Sequence, residues 1–391
     1  MSAIRDRVRE LRKRAGLTQR ELAKAAGVSF RTVENIEQGS SSTTPRLETL
    51  RKLAVPLRTT TTYLQAGVQH ESDPDAATVD RWAGVRGAIL KPPVVPGPED
   101  EQPTLAGVHA LLRDTEPLFA GDKFADLAVV LPPLLRDAET LGTEARRARV
   151  RLLQLSGWLM VQTRQFEAAE VALRRALDDA SDKIEASATV NTQCWLLLRQ
   201  GKLGAARELS VKWADDLEPR LSRATPDELS AWGWMQLRVS AASVRDGRPG
   251  DADDALRFAY AAAVALGREH SPGGDFLRTF GPTTVAIKRA ENASVQGKHD
   301  TVLHLAEKVP RGGVRPTSNN WNRHRLDKAN AYAELRDYAG AVEELGGVLR
   351  DSPEWLPNQR FARDIVGTVV SKRRTLTPEI RELADAVALP A

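Results

Sequence analysis

The sequence holds one cysteine, Cys194, in 391 residues. A single thiol excludes an intramolecular disulfide and any cysteine-rich zinc site. No run of about 18 apolar residues occurs, so no membrane-spanning helix is expected. The N-terminus is charged from Arg5 onward, unlike a secretion signal. The chain therefore reads as soluble and cytoplasmic, with no membrane partner. Six histidines, at 70, 109, 270, 299, 304 and 324, show no metal-ligand spacing. Neither a phosphate-cradling GxxxxGK loop nor a GxSxG elbow is present. No catalytic residue, metal or cofactor is expected, and the chain does not read as an enzyme.

What is present begins with an uneven charge. Residues 1–66 carry 13 Lys and Arg against 6 Asp and Glu, in a chain of net charge +4. A cationic head on a slightly acidic body fits one nucleic-acid-binding domain.

The head is organised around Leu17–Gly39, LTQRELAKAAGVSFRTVENIEQG. Thr18 and Glu21 form the pattern of a capping box. Leu22, Ala23 and Ala26 give a small apolar stripe at helical spacing. Gly27 suits the left-handed backbone that ends a helix. Ser29 can cap a second helix, with Val33 and Ile36 inward and Gly39 at its end. Two short helices meeting at a small-residue corner form a helix-turn-helix, whose second helix can enter the DNA major groove. Before it, Ile4, Val8, Leu11 and Ala15 make one apolar face among six basic residues, some of which read as phosphate contacts. After it, Pro45 opens a fourth helix with Leu47, Leu50, Leu53, Ala54 and Leu57 inward. A short fifth helix is expected around Thr61–Leu64.

LTQRELA, GVS and IEQG resemble the lambda-repressor/Cro type of helix-turn-helix, the XRE family, over about residues 3–66. In that family an arginine matching Arg12 pairs with the glutamate matching Glu37, so this pair is expected to be structural. Base contacts are expected from the first turn and outer face of the recognition helix: Phe30, Arg31, Glu34 and Asn35. Arg31 can bond guanine O6 and N7, and Asn35 can pair with adenine. The resemblance implies phosphate contacts from Gln19 and Gln38. Thr32 is either a phosphate contact or a buried hydroxyl.

Residues 69–104 are rich in proline and acids, which is linker chemistry. Val79, Trp82, Val85, Ile89 and Leu90 can form one helix within it. Three parts are thus expected: a DNA-binding head at 1–68, this linker, and a helical body at 105–391.

The body shows no alternating strands and repeats itself. Residues 322–355 resemble a tetratricopeptide repeat, with small Ala329 and Ala341 twelve residues apart. The same offset links Gly157 to Ala169, Cys194 to Ala206 and Ala290 to Val302, with Phe166, Leu203 and Tyr338 read as turn residues. Small residues permit close helix packing, and stacked pairs form a solenoid. The expected fold is all-α, a five-helix head followed by a tetratricopeptide-like solenoid of about six or seven pairs. The combination resembles peptide-sensing regulators of Gram-positive bacteria. FGPTTVAIKRA and PEWLPNQRFARDIV resemble recurring phrases of actinomycete regulators.

In tetratricopeptide proteins the residue after the small anchor and the one four before it line the inner curve. Those pairs are Gln154 with Trp158, Asn191 with Trp195, Ile287 with Glu291, and Leu326 with Asn330. An amide can bind a peptide bond as donor and acceptor. Arg199 and Arg323 fall near the same surface and can hold a carboxylate. The reading that follows is a regulator that binds a double-stranded DNA operator as a homodimer and senses a peptide or small-molecule effector. The alternative is a DNA-tethered adaptor whose repeats recruit a partner protein.

Overall fold

The computed structural model describes residues 4–39, 45, 47–54, 56–57, 64, 80–90, 103–271, 278–309 and 318–389. Among them the protein is all-α, and its only β-type pairing is an isolated bridge between His270 and Phe280. The chain forms two compact units, one of residues 1–79 with Arg336–Ala391, the other Asp80–Leu335.

The first unit opens with α1 (Ile4–Arg14), α2 (Gln19–Ala26), α3 (Phe30–Gln38) and α4 (Leu47–Ala54). Thr18 accepts from the Glu21 amide while the Glu21 carboxylate accepts from the Thr18 amide, closing the capping box that starts α2. Ser29 caps α3 by accepting from Thr32. Gly27 and Gly39 end these helices at φ 63° and 67°, a backbone that costs glycine nothing. Val8, Leu11, Leu22, Val33, Leu50, Leu53, Leu57 and Leu64 close one core beneath them. The fifth helix expected at 61–64 lies mostly outside the described residues, as does most of the linker. The same unit includes α17 (Tyr338–Asp351), α18 (Arg360–Lys372) and α19 (Pro378–Ala386).

The second unit opens with α5 (Ala83–Leu90), where Val85 and Ile89 are buried. Helix pairs follow: α6 (Leu105–Ala120) with α7 (Phe124–Thr140), α8 (Arg146–Gln162) with α9 (Phe166–Asp178), and α10 (Lys183–Arg199) with α11 (Leu203–Asp216). Then come α12 (Pro226–Arg245) with α13 (Pro249–Leu266), α14 (Pro282–Val295) with α15 (His299–Glu307), and α16 (Ser318–Glu334).

One turn joins the members of each pair. Asp122, Arg164, Gly201, Gly247 and Gly297 are left-handed, at φ 52°, 61°, 76°, 70° and 69°. The next amide in each case reaches back five residues: Lys123 to Leu118, Gln165 to Met160, Lys202 to Leu197, Arg248 to Ser243 and Lys298 to Ala293, at 2.8–3.0 Å. This is the Schellman closure of a helix C-terminus. Phe166, Leu203 and Tyr338 are therefore the first residues of second helices rather than turn residues. The anchors behave as their size requires. Cys194, Ala206, Ala290 and Val302 are buried, and a Cβ on Gly157 would stand 2.7 Å from Leu173 Cδ2.

Candidate nucleic-acid interface and effector site

In the head, α3 turns its first residues to solvent. Arg31 is exposed, and Phe30 is partly exposed with the Arg20 guanidinium 5.6 Å from its ring centre. Glu34 and Asn35 are half-buried on the same helix, and Gln38 is exposed at its end. Thr32 is half-buried, its hydroxyl 2.7 Å from the Ser29 hydroxyl. Gln19 opens α2 and donates to Glu37 Oε2 at 2.8 Å. Gln19, Phe30 and Gln38 line one cleft with Arg9, Arg20 and Arg374. The first residue of α3 and Arg374, from the segment between α18 and α19, thus share a surface of this unit.

Several basic residues of α1 are held within the protein. Arg7 donates through Nε and Nη2 to the Leu64 carbonyl, at 3.2 and 2.7 Å. Arg12 pairs with Glu37, and Arg14 meets Asp385 at 3.0 Å. Burial pushes the Lys13 amine down, with Arg9 and Arg12 adding repulsion. The expectation that some of these residues contact phosphate is therefore narrowed to the exposed ones, Arg5 and Arg9.

The second unit gathers a different set of charges. On α10, Asn191 Oδ1 accepts from Arg238 Nε at 2.5 Å. One turn later, Trp195 has the Arg199 and Arg278 guanidinium carbons each 5.4 Å from its ring centre. Arg238 also lies 5.5 Å from the Trp234 ring centre, and Trp234 Nε1 donates to the Arg278 carbonyl at 2.9 Å. Asn191, Arg238, Trp234, Arg278 and Trp195 thus form a chain of successive contacts. Beyond it, Glu291 accepts from Arg245 at 2.6 Å and Lys288 at 2.9 Å. Asp327 is fully buried and meets Arg323 at 3.2 Å.

Burial lowers the Arg199 pKa to about 10, with Arg164 and Arg323 adding repulsion. Burial takes Arg238 to about 10, and burial with repulsion from Arg238 takes Arg278 to about 9. The directions express one fact: cationic charge here is poorly solvated and poorly compensated.

Of the residues read from sequence, Asn191, Trp195 and Arg199 meet in this cluster, and Arg323 is within electrostatic reach of Arg199. Asn330 is half-buried further along α16. Gln154 and Trp158 are engaged otherwise. Gln154 Nε2 donates to Thr189 Oγ1 and the Glu185 carbonyl, binding α8 to α10. Trp158 packs edge-on against Phe119 and Phe124, at 5.6 and 6.0 Å between ring centres. Their amide and ring surfaces are spent on packing. Arg238 and Arg278 went unnoticed in the sequence. Arg278 sits just before the FGPTT phrase, which was the available signal.

That phrase has a structural meaning. Phe280 is fully buried against Gly233, where a Cβ would fall 2.0 Å from the ring. Gly281 lets the backbone pass residues 268–269, since a Cβ there would stand 2.6 Å from the Arg268 carbonyl oxygen. Glu269 then accepts from the Thr283 and Thr284 amides at 2.6 and 3.0 Å, capping α14.

No curated protein matches the chain. Among solved structures, PlcR of Bacillus thuringiensis, in complex with the peptide PapR7 and DNA, is similar at 12% identity. The similarity covers 78% of this chain and 95% of that one, with a TM-score of 0.38. Residues 8–64 match the family model described as helix-turn-helix. With the capped helix pair and the exposed start of α3, that match identifies the head of the chain as a helix-turn-helix domain.

Proposed function

We propose that the protein is a dimeric, sequence-specific transcription regulator whose helix-pair region senses a small effector. The helix-turn-helix match supports a DNA-binding transcription regulator. The observation that carries the reading is the first turn of α3, which presents exposed Arg31 and Phe30 on a helix fixed from both ends by glycine and serine caps. In this reading residues 1–68 bind an operator, 69–104 link, and 105–391 sense. Phe30, Arg31, Glu34 and Asn35 read bases, and Gln19, Thr32 and Gln38 hold phosphates. One such domain buries too little surface for strong specific binding, so two copies act on a two-fold operator.

Effector contact is assigned to Asn191, Trp195, Arg199, Arg323 and Asn330. Gln154 and Trp158 hold the neighbouring helices in place. An effector that favours one arrangement of the two heads changes DNA affinity by its differential binding and by no other route.

The test is selection of binding sites from a random duplex pool with the full chain. Enrichment of a two-fold motif by wild type, with one position per half-site relaxed in Arg31→Ala, is the expected result. No enriched motif would reject the reading.

A further inference from the structure

We propose that the interior of the second unit is an oxyanion site, in which Arg238 and Arg278 hold a carboxylate or phosphoryl group of a small ligand beside Trp195. The proposal rests on the effector-sensing reading and adds the chemical class of what is sensed.

The starting point is unbalanced charge. Six cations, Arg199, Arg238, Arg245, Arg278, Lys288 and Arg323, stand near two carboxylates, Glu291 and Asp327. Glu291 is already shared by Arg245 and Lys288, and Asp327 is taken by Arg323. Among the described residues no carboxylate forms an ion pair with Arg238 or Arg278. Arg238 is 6% exposed, and its Nη2 is buried with no hydrogen-bond partner. The Nη2 of Arg278 is in the same condition. A buried guanidinium with an unmade bond is costly, and two of them repelling each other cost more.

The cluster is also held in position. Asn191 fixes Arg238 through its Nε, which leaves the terminal nitrogens to face elsewhere. Trp234 anchors the Arg278 backbone, and the His270–Phe280 bridge pins the segment that follows. Fixed donors that lack an acceptor are the preorganised half of an anion site. Arg199 and Arg278 are half-buried. Two forked guanidiniums suit a planar carboxylate or a phosphoryl group, each of which accepts two parallel bonds.

The experiment follows thermal unfolding of the full chain with four probes at matched ionic strength. These are inorganic phosphate, a short peptide with a free C-terminus, the same peptide amidated, and chloride. Phosphate or the free-carboxylate peptide should raise the midpoint, while the amide and chloride should not. The responding arm tells phosphoryl from carboxylate. Arg278→Gln should weaken that binding at least about tenfold, the loss of one charge-assisted pair. It should also raise the ligand-free midpoint, because a repelled cation is gone. If the glutamine variant does not fold, Arg278→Lys, which keeps the charge but not the fork, should fold and bind more weakly. No response to either anion, an unchanged response in Arg278→Gln, or an unchanged response in Arg278→Lys would overturn the site. Anion binding without any change in operator affinity would support the site and count against sensing alone. Sensing that persists in Arg278→Gln would overturn the site and leave sensing intact.

Discussion

Arg12 on the first helix and Glu37 at the end of the recognition helix form a two-toothed ion pair. Nε and Nη2 of the arginine lie 2.6 and 2.9 Å from the two carboxylate oxygens. The remaining Arg12 nitrogen, Nη1, donates to the Leu17 carbonyl, and Gln19 adds a third donor to Glu37. One residue therefore ties α1, the start of α2 and the end of α3 together. The side chains are only 10% and 3% exposed, so water cannot replace a lost partner.

Glu37→Ala should destabilise the head by about 3–5 kcal/mol, the cost of leaving a buried charge unpaired. Amide hydrogen exchange of the full chain checks it. Protection should fall across α3 and stay unchanged in α8–α12. Arg12→Lys should lose most of the same protection, because an ammonium cannot span both carboxylate oxygens and a carbonyl.

Arg31→Ala addresses recognition instead of stability. It should cost about 1–3 kcal/mol at the selected site and relax one base pair per half-site. Substituting exposed Arg5 or Arg9 by Ala should act alike on all sequences, lowering affinity and flattening the salt dependence. Competition binding at several salt concentrations separates the two classes. Arg7→Gln belongs to neither, since its guanidinium is spent on the Leu64 carbonyl, and its effect should appear in unfolding.

The caps and anchors were legible in the sequence because they depend on residues three or four apart. Thr18 with Glu21, Ser29, Gly27 and Gly39 all act within one turn of themselves. The role of Arg7 was not legible, because its acceptor comes 57 residues later. The repeat turns were partly hidden for another reason. Gly201, Gly247 and Gly297 advertise a left-handed backbone, but Asp122 and Arg164 adopt it without a glycine. Trp158 and Trp195 occupy the same register and read alike. Their neighbours differ, since Phe119 and Phe124 enclose one while Arg199 and Arg278 flank the other. Arg278 reaches Trp195 from a segment beyond α13, a distance that no local pattern encodes.

Glu291 should make stability pH-dependent at the acid end. Burial alone would raise its pKa, but Lys288, Arg245 and Arg323 overcome it and hold the carboxyl well below the usual range. A depressed carboxyl stabilises the fold fully above its unfolded pKa of about 4.3, and that contribution is lost as pH falls through the folded value. Asp327 works in the opposite direction, because burial raises its pKa. Repulsion from Glu291 is part of that rise, so the comparison of wild type with Glu291→Gln reads the coupled pair and not Glu291 alone. The variant should melt lower than wild type at pH 7, and the difference should shrink steadily below about pH 4.3. A constant difference down to the acid limit would contradict the assignment.

Gly233→Ala tests whether the interior cluster depends on the packing beneath it. Alanine is the better helix former by roughly 0.8–1 kcal/mol, so a glycine inside α12 is there for a spatial reason. The reason is Phe280, whose ring would lie 2.0 Å from the new methyl. A long side chain at the surface could swing aside, but Phe280 is fully buried and 6.4 Å from the Trp234 ring centre. The ring must move, and its backbone is bridged to His270 two residues after Arg278. Overpacking of this kind costs typically about 1–3 kcal/mol, which exceeds the helix gain. The melting midpoint should therefore fall, and the tryptophan emission should change because Trp234 and Trp195 both touch this segment. Gly204→Ala is the matched control. It lies in α11 with nothing within 4 Å of the added methyl, so only the helix preference acts and the midpoint should hold or rise slightly. A fall confined to Gly233→Ala shows that close packing, and not a general intolerance of helix substitutions, sets the position of Arg278. Equal midpoints for the two variants would show that Phe280 is free to move and that the segment is not held as described.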